Sequence, residues 1–199
     1  MSYPTREEAR ALLEWAHGLN PGPWREHSLG VARAGEKLAE ALGLDADRAW
    51  INGCLHDIGR YEGPRGMRHV VAGHDLLLDK GWDGPARACM VHSFPDGDID
   101  AYIGPHDVSP EEDARIRAYL AACKFDDYDR LVQLGDAISW GEGVCLMEKR
   151  IVNVAMRYGP APKMIEKWRA WFDIKEDLER RIGKSIYALF PEAAENTLG

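Results

Sequence analysis

Apolar residues recur with helical spacing along most of the chain. Steps of three and four residues predict helices near 5–19, 24–42, 46–58, 69–80, 84–93, 110–122, 126–140, 144–158 and 162–182. Thr5 and Ser109 each precede a glutamate by three positions, which is typical of a capping box. Gly43, Gly81 and Gly159 stand where helix C-termini favour glycine. No strand pattern competes, so the sequence predicts an all-α fold.

Several polar residues fall on the apolar faces of these predicted helices. His27 opens a stripe with steps of four, three and four residues, continued by Val31, Ala34 and Leu38. The same spacing turns three more polar side chains inward, namely His69, His92 and Asp136. Burying such groups without partners costs roughly 1–3 kcal/mol each. A shared cation would satisfy all four together, and separate hydrogen bonds would satisfy them one at a time.

The segment "CLHDIGR", residues 54–60, places His56 beside Asp57 in an otherwise mostly apolar helix. The order His27, His56-Asp57, Asp136 resembles the H...HD...D pattern of the HD-domain metal-dependent phosphohydrolase superfamily. Histidines in "RHVVAGHDLL" and "ACMVHSF" make the chain similar to the H...HD...H...H...D version. That version holds two metals and includes bacterial enzymes that hydrolyse symmetric dinucleoside tetraphosphates. The matching segments span about residues 24–141.

This resemblance implies an HD-domain helical bundle in which residues 1–199 form one domain. The motif-bearing core would be about 24–141, with C-terminal helices at about 144–190 packed on it. One divalent metal would be held by His27, His56, Asp57 and Asp136. Asp57 would bridge to a second metal, bound also by His69 and His92. Nitrogen and oxygen donors favour iron or manganese without choosing between them.

Other histidines compete for these roles. His74, followed by Asp75, could replace His69 if the register of its helix differs, although the spacing of His69 fits the family better. His17 and His106 are interpreted as ordinary polar residues.

Arginines surround the end of the helix that carries His56 and Asp57. Arg60, Arg65 and Arg68 flank the glycine-rich loop "GRYEGPRGMR". Guanidinium groups bind phosphate through paired hydrogen bonds, which makes Arg60 a candidate for substrate binding. The alternative is that these arginines are solvated or ion-paired.

The last sixty residues contain no motif that we connect with chemistry. Trp168 and Trp171 are predicted to pack as core rather than to stack on a base. Their spacing of three continues a stripe that begins with Met164 and Ile165.

Composition narrows the possible partners and location. The formal net charge of -8 argues against nucleic acid binding, because phosphate backbones repel an acidic surface. No apolar run reaches the roughly 18 residues of a membrane span, and the N-terminus lacks a signal-peptide pattern. The four cysteines form no C-x-x-C pair, which is typical of a reducing compartment. We therefore expect a cytoplasmic protein without a membrane partner.

The leading hypothesis is a metal-dependent phosphohydrolase that cleaves a phosphate ester or anhydride. Its substrate would be a nucleotide or another small phosphorylated molecule, with Asp57 and Arg60 in catalytic roles. Two cations would activate a bridging hydroxide and neutralise charge in the transition state. Two alternatives stay open, an HD-type di-iron oxygenase and a catalytically inactive HD binding module. Substrate identity and oligomeric state do not follow from the sequence.

Overall fold

The computed structural model describes residues 1–141 and 143–198 of the chain. Ten α-helices run through these residues: α1 (Arg6–Leu19), α2 (Trp24–Leu42), α3 (Ala46–Leu55), α4 (Arg68–Asp79), α5 (Asp83–Val91), α6 (Pro110–Ala122), α7 (Asp127–Ile138), α8 (Met147–Tyr158), α9 (Met164–Ile182) and α10 (Ala193–Leu198). Short 3-10 helices occupy Ile58–Glu62, Ile99–Ala101 and Ile186–Leu189. Two-residue strands β1 (Ser139–Trp140) and β2 (Gly143–Val144) pair antiparallel. The predicted all-α fold is confirmed.

Several helices begin and end at the capping residues that the sequence predicts. Thr5 and Ser109 each form a complete capping box at the beginning of α1 and α6. Gly43 ends α2 with a left-handed φ of 69°, and Gly159 ends α8 with a φ of 82°. Side chains other than glycine rarely adopt these angles, so each helix stops at its glycine.

Several predicted helices are shorter than expected, including the one over residues 144–158, which begins only at Met147. The predicted helix over residues 46–58 ends at Leu55, because Asp57 leaves the helical region with φ -102° and ψ 11°. The helix predicted to reach residue 140 ends at Ile138, where Ser139 turns extended and pairs with Val144. Gly59 therefore lies inside a 3-10 helix.

The C-terminal helices share an apolar core with the central helices. Leu38 of α2 and Leu134 of α7 belong to the same buried cluster as Ile151 of α8 and Trp171 and Leu178 of α9. A second apolar cluster joins α1 to α3 and α5. A third joins α4 to α5 and α6. Within the described residues, no helix combines the length and apolar character needed to cross a membrane.

Helices α2 and α3 pack with their backbones in close approach. A Cβ added at Gly53 would lie 2.6 Å from the main chain of Ala32. Only glycine permits this distance, and the approach brings the C-terminus of α3 beside α2. As a result, the rings of His27 and His56 lie 5.5 Å apart.

We expect Gly53→Ala to destabilise the fold by about 2 kcal/mol or more, because overpacking against a backbone forces helices apart. Gly18→Ala is the matched control, since nothing lies within 4 Å of a Cβ added there. That control should leave the free energy of unfolding unchanged or raise it slightly. Urea denaturation of both variants measures the difference, and equal stabilities would contradict the close approach.

Candidate metal centre

Six polar side chains from separate elements converge at one end of the helical core. They are His27 of α2, His56 at the C-terminus of α3, the following Asp57, His69 of α4, His92 at the C-terminus of α5, and Asp136 of α7. Their donor atoms form three overlapping groups, each within 4.8 Å. These groups are His27, His56 and Asp57; His56, His92 and Asp136; and Asp57, His69 and His92. The structure thus brings together all the predicted ligands.

Three of the imidazole rings are oriented by their own main chain. His56 and His92 contact the carbonyl oxygen three residues earlier through Nδ1, at 2.7 and 2.9 Å. His69 makes the same contact with the carbonyl three residues before it. Because a carbonyl oxygen only accepts, each Nδ1 must carry the proton and donate it. In the neutral ring, each Nε2 then offers a lone pair to the centre of the site.

These Nε2 atoms meet one carboxylate. His69 Nε2 lies 3.2 Å from His92 Nε2 and 3.0 Å from Asp57 Oδ1. His92 Nε2 lies 3.7 Å from the same oxygen, and His56 Nε2 lies 3.8 Å from Asp57 Oδ2. Asp57 is therefore the central group of the cluster.

The cluster contains buried acceptor atoms without protein donors. Within the described residues, His56 Nε2 and Asp57 Oδ1 are buried and have no hydrogen-bond partner. His69 Nε2 lies close to Asp57 Oδ1, but it carries no proton when Nδ1 of the same ring donates. A lone pair on His69 Nε2 therefore faces a lone pair on Asp57 Oδ1. Such an arrangement is unfavourable by itself and becomes favourable around a cation. The donor set fits a divalent metal.

His27 and Asp136 form the more accessible half of the cluster. His27 Nε2 and Asp136 Oδ1 are joined by a hydrogen bond of 2.9 Å. Burial opposes ionisation of Asp136, but the hydrogen bond and the charges of His27 and Arg150 outweigh it and hold its pKa well below the ordinary value. Asp136 is therefore a carboxylate at neutral pH.

The electrostatic environment of the buried half of the site favours the protonation states that metal binding requires. Burial opposes ionisation of Asp57, yet the charge of Arg60 holds the pKa of this carboxyl group well below its ordinary value. Burial lowers the pKa of His92 to about 3, and His56 and His69 act in the same direction. Metal binding requires ionised carboxylates and neutral imidazoles, and these are the forms of Asp57 and His92 at neutral pH.

A cavity of about 670 Å³ opens over the cluster. Its described lining includes cationic side chains from both halves of the chain, namely Arg60, Arg65, Arg150, Arg157 and Lys167. Arg60 is the one nearest the predicted bridging carboxylate, because its Nε donates to Asp57 Oδ2 at 2.6 Å. Arg68 instead pairs with Glu62 and Glu112 at the surface.

The competing histidines lie outside the cluster. His74 contacts Asp75 at 3.1 Å and Arg115 at 2.8 Å. His17 packs against the ring of Trp24, and His106 packs against that of Tyr102.

The sequence reasoning missed three cationic residues of the cavity wall, Arg150, Arg157 and Lys167. Trp171 is 6% exposed and packs in the core as predicted, whereas Ile165 is 48% exposed, so the predicted stripe of α9 is wrong. The buried stripe consists of Lys167, Trp171, Ile174 and Leu178. Its steps of four, three and four match those that placed His27 inward, so the spacing could have revealed Lys167.

Comparison with known proteins places this chain in a family. The family model described as HD domain matches residues 24–141, which is more than half of the chain. The chain therefore belongs to the HD domain family. The crystal structure of the HD domain of the L. monocytogenes phosphodiesterase PgpH is similar at 15% identity and a TM-score of 0.42. That similarity covers 93% of this chain and 90% of the other. No curated protein matches the sequence.

The central place of Asp57 predicts unequal losses of metal. If the cluster holds two metals as the sequence predicts, Asp57→Ala should empty or severely weaken both sites, whereas His69→Ala or His92→Ala should leave about one metal per chain. His74→Ala is the matched control, because His74 shares α4 with His69 but lies outside the cluster. Elemental mass spectrometry on metal-replete protein gives the count. Two metals retained in His92→Ala would remove His92 from the ligand set.

Proposed function

We propose that this protein is a metal-dependent phosphohydrolase that cleaves a phosphate ester or anhydride of a nucleotide or another small phosphorylated molecule. The proposal rests on the buried cluster beneath a cation-lined cavity, in which His56 Nε2 and Asp57 Oδ1 have no donor among the residues that the structure describes. Membership of the HD domain family supports the same class of chemistry.

The proposed ligand set is the one predicted from the sequence. His27, His56, Asp57 and Asp136 would hold one divalent metal, and His69 and His92 would hold a second that shares Asp57. Iron and manganese suit these nitrogen and oxygen donors. When bound, such ions lower the pKa of a water molecule and neutralise charge on a phosphate.

The protein's own residues would orient and bind the substrate. The contact between Arg60 Nε and Asp57 Oδ2 fixes one carboxylate oxygen and leaves the other directed at His69. The remaining guanidinium donors of Arg60, beside the cavity, would bind a nonreacting phosphate oxygen. Arg65 lines the same side and adds positive charge.

We also propose that the whole chain acts as one HD domain. The shared core of α2, α7, α8 and α9 supports this, because it joins the C-terminal helices to the elements that carry His27 and Asp136. The proposed substrate is a small molecule taken up by the cavity, without nucleic acid or membrane as partner, and the proposed location is cytoplasmic.

Chelation should abolish phosphate release, and manganese or iron should restore it, because the proposed nucleophile depends on a bound metal. The test screens nucleotides and sugar phosphates under nitrogen and measures free phosphate. Hydrolysis proceeds without dioxygen, whereas a di-iron oxygenase consumes it. Phosphate release that survives thorough metal removal would contradict the mechanism, and metal-loaded protein without turnover would favour a binding module.

Arg60→Gln should raise KM by about tenfold, since one charge-assisted contact to phosphate is lost. The effect on KM should exceed any change in metal content, which is measured on the same samples. Arg68→Gln is the control, because Arg68 borders the same loop but pairs with Glu62 and Glu112. Unchanged kinetics in Arg60→Gln would leave Arg60 as an ion-pair partner of Asp57 alone.

A further inference from the structure

The wall of the cavity formed by α8 and α9 is rich in hydrogen-bond donors. Arg150 of α8 and Lys167 and Trp171 of α9 all line the cavity. These three residues lie beyond the segment matched by the HD domain model. They therefore form a part of the site that the family motif does not define.

Lys167 is a cation in a buried position. The residue is 4% exposed, and its Nζ donates to the carbonyl oxygen of Ser93 at 2.8 Å. Its Nζ also lies 4.9 Å from the ring centroid of Trp171 and 5.6 Å from that of Tyr102. Among the described residues, no carboxylate forms an ion pair with it. Burial lowers the pKa of Lys167 to about 8, against the attraction of Asp136 and Asp96.

A buried ammonium group is costly unless an anion compensates it. One carbonyl oxygen uses one of the three N–H groups of Lys167, so two remain for another acceptor. The cavity is the space from which an acceptor can approach, because the side chain lines it.

Arg150 and Trp171 supply further donors without partners. Arg150 Nε and Trp171 Nε1 are buried and have no hydrogen-bond partner in the part of the chain that the structure describes. Arg150 reaches Asp136 Oδ1 only at 3.8 Å, which is an electrostatic contact rather than a hydrogen bond. Buried polar groups of this kind are normally satisfied, so these two donors and the two remaining N–H groups of Lys167 indicate a missing acceptor.

We propose that Arg150, Lys167 and Trp171 form an anion subsite beside Asp136 that binds a phosphate group of the substrate. The assignment of that phosphate to a substrate rests on the proposed function. Its cations differ from Arg60, which contacts Asp57. Helices α8 and α9 then contribute directly to substrate binding, in addition to packing on the core.

Inorganic phosphate is the probe, and its binding to chelator-treated full-length protein is measured by isothermal titration calorimetry. This readout needs neither metal nor turnover. Arg150→Gln and Lys167→Met should each raise the Kd for phosphate by about tenfold, because a charge-assisted hydrogen bond is lost. Arg150→Lys keeps the charge and should lose less affinity than Arg150→Gln.

Two surface substitutions serve as controls. Lys163→Met removes a lysine just before α9 that pairs with Asp98, and Arg180→Gln removes an exposed arginine of α9 that pairs with Asp177. Both should bind phosphate like wild type. Thermal melts check the folding of every variant. If Lys167→Met does not fold, the comparison of Arg150→Gln with Arg150→Lys still decides the proposal.

The outcomes separate this subsite from the proposed reaction. Wild-type protein that does not bind phosphate, or folded variants that bind it with unchanged Kd, would overturn the subsite even if phosphate esters are hydrolysed. Weakened phosphate binding in the two variants would support it even if no substrate is turned over. Where hydrolysis is found, the same variants should raise KM by a similar factor.

Discussion

The site depends on one repeated contact, an imidazole Nδ1 that donates to the main-chain carbonyl three residues before it. His56, His69 and His92 all use it. For His56 and His92 the carbonyl belongs to the last turn of a helix, where it would otherwise lack a donor. For these two residues, a single hydrogen bond therefore satisfies a helix-terminal carbonyl, selects the tautomer and directs Nε2 toward Asp57. The close packing of α2 on α3 then brings His27 to the same place, and Asp136 of α7 joins it through a hydrogen bond to His27.

Most of the fold followed from spacing, because a 3.6-residue repeat and its caps are local properties of the sequence. The inward position of His27 is an example, since its stripe of apolar neighbours lies within one helix. The end of α3 could not be predicted in the same way. It depends on the contact between His56 and Gly53 and on the 3-10 turn that follows, and helical periodicity contains no signal for either.

The sequence predicted the residues of the candidate site that belong to a motif and missed those that do not. The order of histidines and aspartates brought six side chains into one hypothesis, and the structure places all six together. Lys167 was missed because a lysine in a stripe is normally read as solvent-exposed, and its burial depends on contacts with Ser93 and Tyr102 from distant segments. Arg150 was missed for a related reason, since its nearest acidic neighbour, Asp136, belongs to another helix.

The contrast between an acidic chain and a cation-lined cavity has a consequence for selectivity. The formal net charge is -8, yet the described cavity lining carries five lysine and arginine side chains against the two carboxylates Asp57 and Asp136. At physiological ionic strength, charges are screened beyond about 8 Å. The cations of the cavity therefore attract a ligand only when it has reached the mouth of the cavity. A long polyanion would extend over the acidic exterior while its end reached the cations, and a compact anion would not. This charge distribution would therefore favour a compact anion over a long polyanion as the ligand of the cavity.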